Sequence, residues 1–89
     1  MMLTQRDVDE LVFQFLIQNH FHFKQASAVY KQQKDNLLAK EDPCFHDEIK
    51  EQYRELVKQL VKDEFTKQYA IPVDSVMITL EGFNVDAYV

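Results

Sequence analysis

Residues 75–89 read Ser75-Val76-Met77-Ile78-Thr79-Leu80-Glu81-Gly82-Phe83-Asn84-Val85-Asp86-Ala87-Tyr88-Val89. This stretch sets the fold class, because the apolar period changes here from that of a helix to that of a strand. Val76, Ile78 and Leu80 alternate with Met77 and Thr79, and Gly82-Phe83 stands where a two-residue type II′ turn wants a glycine first. The alternation predicts a β-hairpin over about 75–89. Leu80 would then face Val85, Ile78 would face Ala87 and Val76 would face Val89 on one side. Thr79/Asp86 and Met77/Tyr88 would lie on the other. A slip of one residue would turn the apolar set to solvent, so this register is self-consistent. A two-stranded ribbon is barely stable alone and must lie on other elements or pair with another edge.

Upstream the pattern is helical. Thr4 with Asp7 three residues on has the form of a capping box. Val8, Leu11, Val12 and Phe15 then follow the i, i+3, i+4, i+7 spacing of one helix face, which predicts helix 1 over about 4–19. Phe13, Leu16 and Ile17 widen that face almost all round, so helix 1 is either central or covered by a second molecule. The run Asn19 to Phe23 reads as a connection. Helix 2 follows over about 24–40 through Ala26, Val29, Tyr30, Gln33 and Leu37. Asp42-Pro43 suits the cap and first position of helix 3, over about 43–69, whose face is Ile49, Tyr53, Leu56, Val57, Leu60 and Val61. Acids at its start and lysines toward its end suit the helix dipole, and Pro72 closes it. The expected architecture is therefore α+β and mainly helical: one domain over 1–89, a three-helix bundle followed by a C-terminal two-stranded hairpin, αααββ.

Composition narrows the function classes. Of 89 residues 46% are apolar and the net charge is only -5, which excludes the disordered class. A single cysteine, Cys44, leaves no internal disulfide framework, and small secreted domains usually need one. The first residues lack the apolar stretch of a signal peptide, and no run nears the roughly 20 residues that span a bilayer. These features predict a soluble, intracellular, cytoplasmic protein with no membrane partner. By segment the charge is -2 over 1–23, zero over 24–67 and -3 over 68–89.

His20, His22, Cys44 and His46 are every histidine and cysteine in the chain, and all can ligate zinc. In an up-down-up bundle the two pairs sit at opposite ends of helix 2, about 25 Å apart at 1.5 Å per residue, too far for one tetrahedral ion. No metal site is expected. Cys44 with a histidine base would need an oxyanion donor and a strained turn, which a chain with one glycine has little room for. Glu51 and Glu55 fall on the outer face of helix 3, and no glycine loop for phosphate exists. No enzyme activity, cofactor or small-molecule substrate is expected.

Lys50, Arg54, Lys58 and Lys62 at i, i+4 steps form a basic stripe on helix 3. With the expected hairpin as a wing, the element order resembles that of a winged-helix DNA-binding regulator. Against that stand the interleaved Glu51, Glu55 and Asp63 and a wing that carries Glu81 and Asp86 without a base. The aromatic excess is the stronger clue: Phe13, Phe15, Phe21 and Phe23 cluster beside the widened face of helix 1. Leu11-Val12, Phe15-Leu16, Asn19, Phe21, Ala26 and Tyr30 resemble the LisH motif, a short helix-turn-helix that dimerises, over about residues 8–33. Here His20 to Lys24 is longer than the motif's usual turn and has no glycine. The resemblance implies a homodimer through helix 1.

Together these readings predict a non-enzymatic adaptor or regulatory protein that works by protein-protein contact, homodimeric or bound to another protein. Its interface would be Leu11, Val12, Phe15, Leu16, Phe21 and Phe23, or Ile78, Leu80 and Val85 of the hairpin. Two alternatives remain at this stage. One is DNA binding through Lys50, Arg54, Lys58 and Lys62. The other is an acidic inhibitor or immunity-type protein that occupies a basic site with Asp74, Glu81 and Asp86.

Overall fold

The computed structural model describes residues 3–83, 85 and 88. Its elements are α1 (Gln5–Gln18), α2 (His20–Ala26), α3 (Ala28–Lys40), a 3-10 turn at Pro43–Phe45, α4 (His46–Gln68) and α5 (Val73–Glu81). Among the described residues there is no strand.

The expected hairpin is therefore corrected: its first arm is helix α5. Val73, Val76, Met77 and Leu80 also satisfy the helical i, i+3, i+4, i+7 spacing, so a run this short fits both periods and packing decides between them. In the helix Val76 and Leu80 are fully buried and Thr79 nearly so, while Ile78 is 57% exposed. The hairpin register would have put Ile78 beside Val76 and Leu80. Gly82 has φ -84°, whereas a type II′ turn needs a positive φ there. A helix satisfies its own backbone and can lie on α1 and α4, whereas an isolated ribbon leaves two unpaired edges. Pro72 starts the helix, its carbonyl accepting from the amides of Ser75 and Val76 at 3.1 and 3.3 Å. Of the hairpin's second arm, Val85 and Tyr88 are buried and joined by a local Tyr88 N–H to Val85 O bond of 2.9 Å. The partners Asp86, Ala87 and Val89 lie outside the described residues.

The expected connection at 19–23 is also helical. The amides of Asn19, Phe23, Ser27 and Lys31 each donate to the carbonyl four residues back, so α1, α2 and α3 form one ladder bent twice. The bends fall at Asn19 and Ser27, whose side chains donate to the carbonyls of Phe15 at 2.9 Å and Lys24 at 3.3 Å. Polar side chains that bond back into the ladder bend helices in this way. Neither glycine nor proline stands between them to stop the helix.

The termini of the long helices are capped as their residues dictate. Thr4 Oγ1 accepts from the Asp7 amide at 3.2 Å and the Thr4 amide donates to Asp7 Oδ2 at 3.0 Å. Asp42 accepts from the Cys44 amide at 3.2 Å, and Pro43 opens the turn that leads into α4. This short turn lays α3 back along α4.

The core joins Val8, Val12, Phe15 and Leu16 of α1, Phe23 of α2, the α4 row Ile49, Tyr53, Val57, Val61 and Phe65, and Ile71, Val76 and Leu80. A row at strict i+4 steps drifts by about 40° per step, so it winds around α4, which packs against α3, α5 and α1. Phe15 is the hub, meeting Phe23, Phe65 and Tyr69 edge-on at 5.5, 5.3 and 6.4 Å. Helix α3 buries no residue fully. The molecule is accordingly long, 50 × 24 × 16 Å, and its radius of gyration of 14.3 Å exceeds the roughly 12 Å of a compact chain this size.

Candidate interaction surface

Helix α1 carries more apolar side chains than one core face can take. Val12 and Leu16 point into the core, which leaves Phe13 and Ile17, one helical step round, 49% and 55% exposed. Because α2 continues α1 with a bend, Phe21 extends the same i, i+4, i+8 line and is 83% exposed. The chain following α5 brings Phe83 against Phe13, rings stacked at 6.0 Å and 15°. Beside this pair lies an open groove of about 480 Å³, lined by Phe13, Leu16, Ile17, His20, Phe21, Phe83 and Tyr88.

Among the described residues that line the groove, the polar groups are His20 and Tyr88. His20 Nδ1 lies 2.8 Å from the Tyr88 hydroxyl, with the two rings edge-on at 5.4 Å. Burial pushes the Tyr88 phenol above its ordinary value, so it stays protonated. The other wall is set by the packing of α5 on α1, which a polar cluster ties together. Gln5 Nε2 donates to Thr79 Oγ1 at 2.8 Å, to the Ser75 carbonyl at 3.0 Å and to Asp9 Oδ1 at 3.1 Å, and the Thr79 hydroxyl donates to Asp9. The Thr79 hydroxyl, then the Gln5 amide, hold the Asp9 carboxyl below its ordinary value.

Charge on α1 and α5 is one-sided. α1 and α5 carry Asp7, Asp9, Glu10, Asp74 and Glu81 against one base, Arg6, which pairs with Glu10 at 3.8 Å. Asp7, Asp9 and Glu10 lie in the first two turns of α1 and Asp74 and Glu81 at the two ends of α5, while α2, which lines the groove with His20 and Phe21, adds Lys24.

The structure separates the residues expected at an interface. Val12, Phe15, Leu16, Phe23, Leu80 and Val85 are buried within the chain, Leu11 is half-buried against the core, and only Phe21 and Ile78 are exposed. Phe13 and Ile17 are exposed beside them, and Phe83 is half-buried. The signal for Phe13 and Ile17 in the sequence was the breadth of the α1 face, a second stripe beside the one that fills the core. Of the expected DNA-contacting stripe, Lys50 is exposed, while the Lys58 and Lys62 side chains are only 11% and 20% exposed. Lys58 pairs with Glu55, Lys62 with Asp63 and Arg54 with Glu51, so the stripe alternates in sign along α4. Asp74 and Glu81 are exposed, and Asp86 lies outside the described residues.

His20 sits in the groove, whereas Cys44 and His46 stand beyond α3, where His46 Nε2 meets the Glu41 carbonyl at 3.2 Å. Among the described residues no three metal-ligating side chains stand together. No helix among them is long and apolar enough to cross a membrane. Neither a family model, nor a curated protein, nor a solved structure matches the chain.

Proposed function

We propose that the chain is a non-enzymatic protein-protein interaction module, an adaptor or regulatory accessory, whose groove takes the apolar face of a basic amphipathic helix. The observation that carries this reading is the exposed line Phe13, Ile17, Phe21 with Phe83 across the groove. Such a line costs solubility if left bare, and its helical spacing suits a helix laid along it. The net charge of -5 and the acids of α1 and α5 favour a positively charged partner by steering.

The test is a titration with a designed helical peptide of leucines on one face and lysines on the other, followed by amide chemical shifts. Shifts centred on α1, α2 and Phe83 that fade with salt and vanish in Phe13→Ser/Phe21→Ser support it. Binding that ignores both substitutions refutes it.

A second reading, homodimerisation, has its own support in the resemblance of residues 8–33 to the LisH motif and in Phe21, which protrudes beside the groove on the same surface. A protruding ring next to a hollow is the self-complementary arrangement a two-fold pair requires. Light scattering would report a mass of twice 10.6 kDa, reverting to 10.6 kDa in Phe21→Ser.

A further inference from the structure

Helix α5 runs alongside α1 in the same direction and in register. Gln5 Nε2 donates to the Ser75 carbonyl, the Thr79 hydroxyl donates to Asp9 one turn on, and the Phe13 and Phe83 rings stack one turn further. Each step of four residues advances about 6 Å along the helices. The seam passes in this way from a polar end to an apolar one, and Phe13, Ile17 and Phe21 carry it on along the groove.

At the polar end lies a second hollow of about 290 Å³, lined by Asp9, Ile78, Thr79, Gly82 and Phe83. It shares Phe83 with the groove, so the two adjoin. Ile78 and Phe83 give it apolar walls, and Asp9 is the one acid among the described residues that line either hollow. The Asp9 carboxylate is held in place: Gln5 Nε2 and the Thr79 hydroxyl both donate to its Oδ1, and none of the described residues donates to Oδ2. The Thr79 hydroxyl, then Gln5, also keep it ionised, since they hold the carboxyl below its ordinary value.

A long side chain with an apolar stem and a cationic tip suits such a hollow, the stem lying on Ile78 and Phe83 and the tip reaching Oδ2. An anion already fixed by its neighbours loses less freedom on pairing than a loose one. With Oδ1 taken by two donors, one oxygen is left, which fits the point charge of an ammonium; the two-pronged grip of a guanidinium needs both oxygens. Asp9 stands one turn before Phe13, so the cation of a docked helix must stand one turn beyond the end of its apolar stripe.

We infer that the second hollow seats a lysine of the docked helix, one turn beyond the end of its apolar stripe and paired with Asp9, and that this pair fixes how far along the groove the helix lies. The inference rests on the groove being the docking surface and adds which residue its partner carries and where.

The experiment uses the full chain and two designed helical peptides with leucines along one face and glutamines on the other. One carries lysine one turn beyond the leucine stripe, and the other carries norleucine there, which has no charge. Affinities are measured by fluorescence anisotropy for the chain, Asp9→Asn, Asp47→Asn and Phe13→Ser/Phe21→Ser. Asp47, exposed in the first turn of α4, lines neither hollow and changes the net charge by the same amount. Asp9→Asn should weaken the lysine peptide about fivefold, the upper range for a part-exposed ion pair, and leave the norleucine peptide within about twofold. Asp47→Asn should leave both within about twofold. Equal weakening of the lysine peptide by Asp9→Asn and Asp47→Asn, or equal weakening of both peptides by Asp9→Asn, overturns the anchor and leaves the groove standing. Peptides that do not bind, or that bind regardless of Phe13→Ser/Phe21→Ser, overturn both. Should Asp9→Asn fail to fold, an Asp9 carboxyl carbon-13 shift that responds alike to the two peptides refutes the anchor by itself.

Discussion

Leu80 and Ile78 are two residues apart, and replacing each in turn by alanine tests the helical form of α5. Leu80 is fully buried between α5 and its neighbours, so Leu80→Ala removes three carbons from a packed site. Transfer alone costs about 0.8 kcal/mol per carbon, roughly 2.4 kcal/mol, and the cavity left behind raises this to about 3–4 kcal/mol. For a domain whose whole stability is of order 5–15 kcal/mol that is a large fraction, and it should lower the melting temperature by about 12 °C or more. Ile78 is 57% exposed, and Ile78→Ala exchanges a little surface burial for a better helix former. Its net effect should stay within about 0.5 kcal/mol. Urea unfolding followed by far-UV circular dichroism, with the slope unchanged between variants, measures both. Equal losses for the two substitutions would refute the helix, because side chains two residues apart share a face only in a strand.

Gly82→Ala should be neutral or stabilising by up to about 1 kcal/mol, because Gly82 has φ -84° and, among the described residues, an added Cβ meets only the Thr79 carbonyl oxygen at 3.5 Å. A type II′ turn at that position would make the same change costly, so thermal denaturation distinguishes the two. Asp9, held below its ordinary value by the Thr79 hydroxyl and Gln5, contributes stability that is present above the unfolded carboxylate value and lost as pH falls through the lower folded value. Asp9→Asn should therefore remove a stabilisation seen at neutral pH and flatten the acid limb of the stability curve, whereas an unchanged limb would show that Asp9 is not held. Phe65→Ala should cost about 3–5 kcal/mol, because its ring is fully buried against Phe15 and stacked on Tyr69 at 4.7 Å. Phe21→Ser, on an 83% exposed ring, should leave stability within about 0.5 kcal/mol while it abolishes docking, and a large loss of stability would return Phe21 to the core.

Much of this molecule follows from local chemistry. The Thr4/Asp7 capping box, the Asp42-Pro43 entry to α4 and the Ile49, Tyr53, Val57, Val61 row of that helix each depend on residues within a turn or two of one another, so they are legible in the sequence, whereas Leu56 of the expected face is exposed and Phe65 joins the row instead. So is the surplus apolar surface of α1, since Phe13 and Ile17 stand beside a stripe that already has a core to fill. What local chemistry leaves open is any segment that satisfies two patterns at once. Residues 73–81 fit both a strand and a helix, and the choice fell to the helix because Val76, Thr79 and Leu80 could then close the core against α1 and α4 while Ile78 turned to solvent. Residues 19–27 carry polar side chains that could end a helix or bend it, and bonds to the Phe15 and Lys24 carbonyls bent it. Which aromatic rings stay outside is a tertiary matter for the same reason. Phe15 and Phe21 look alike in sequence, but one meets Phe23, Phe65 and Tyr69, and the other lies past the bend with no partner ring from α4. Periodicity determined that α1 had apolar surface to spare. Only the packing of α4 and α5 against it decided which side chains were spared, because burial is a property of the surfaces that meet and not of either surface alone.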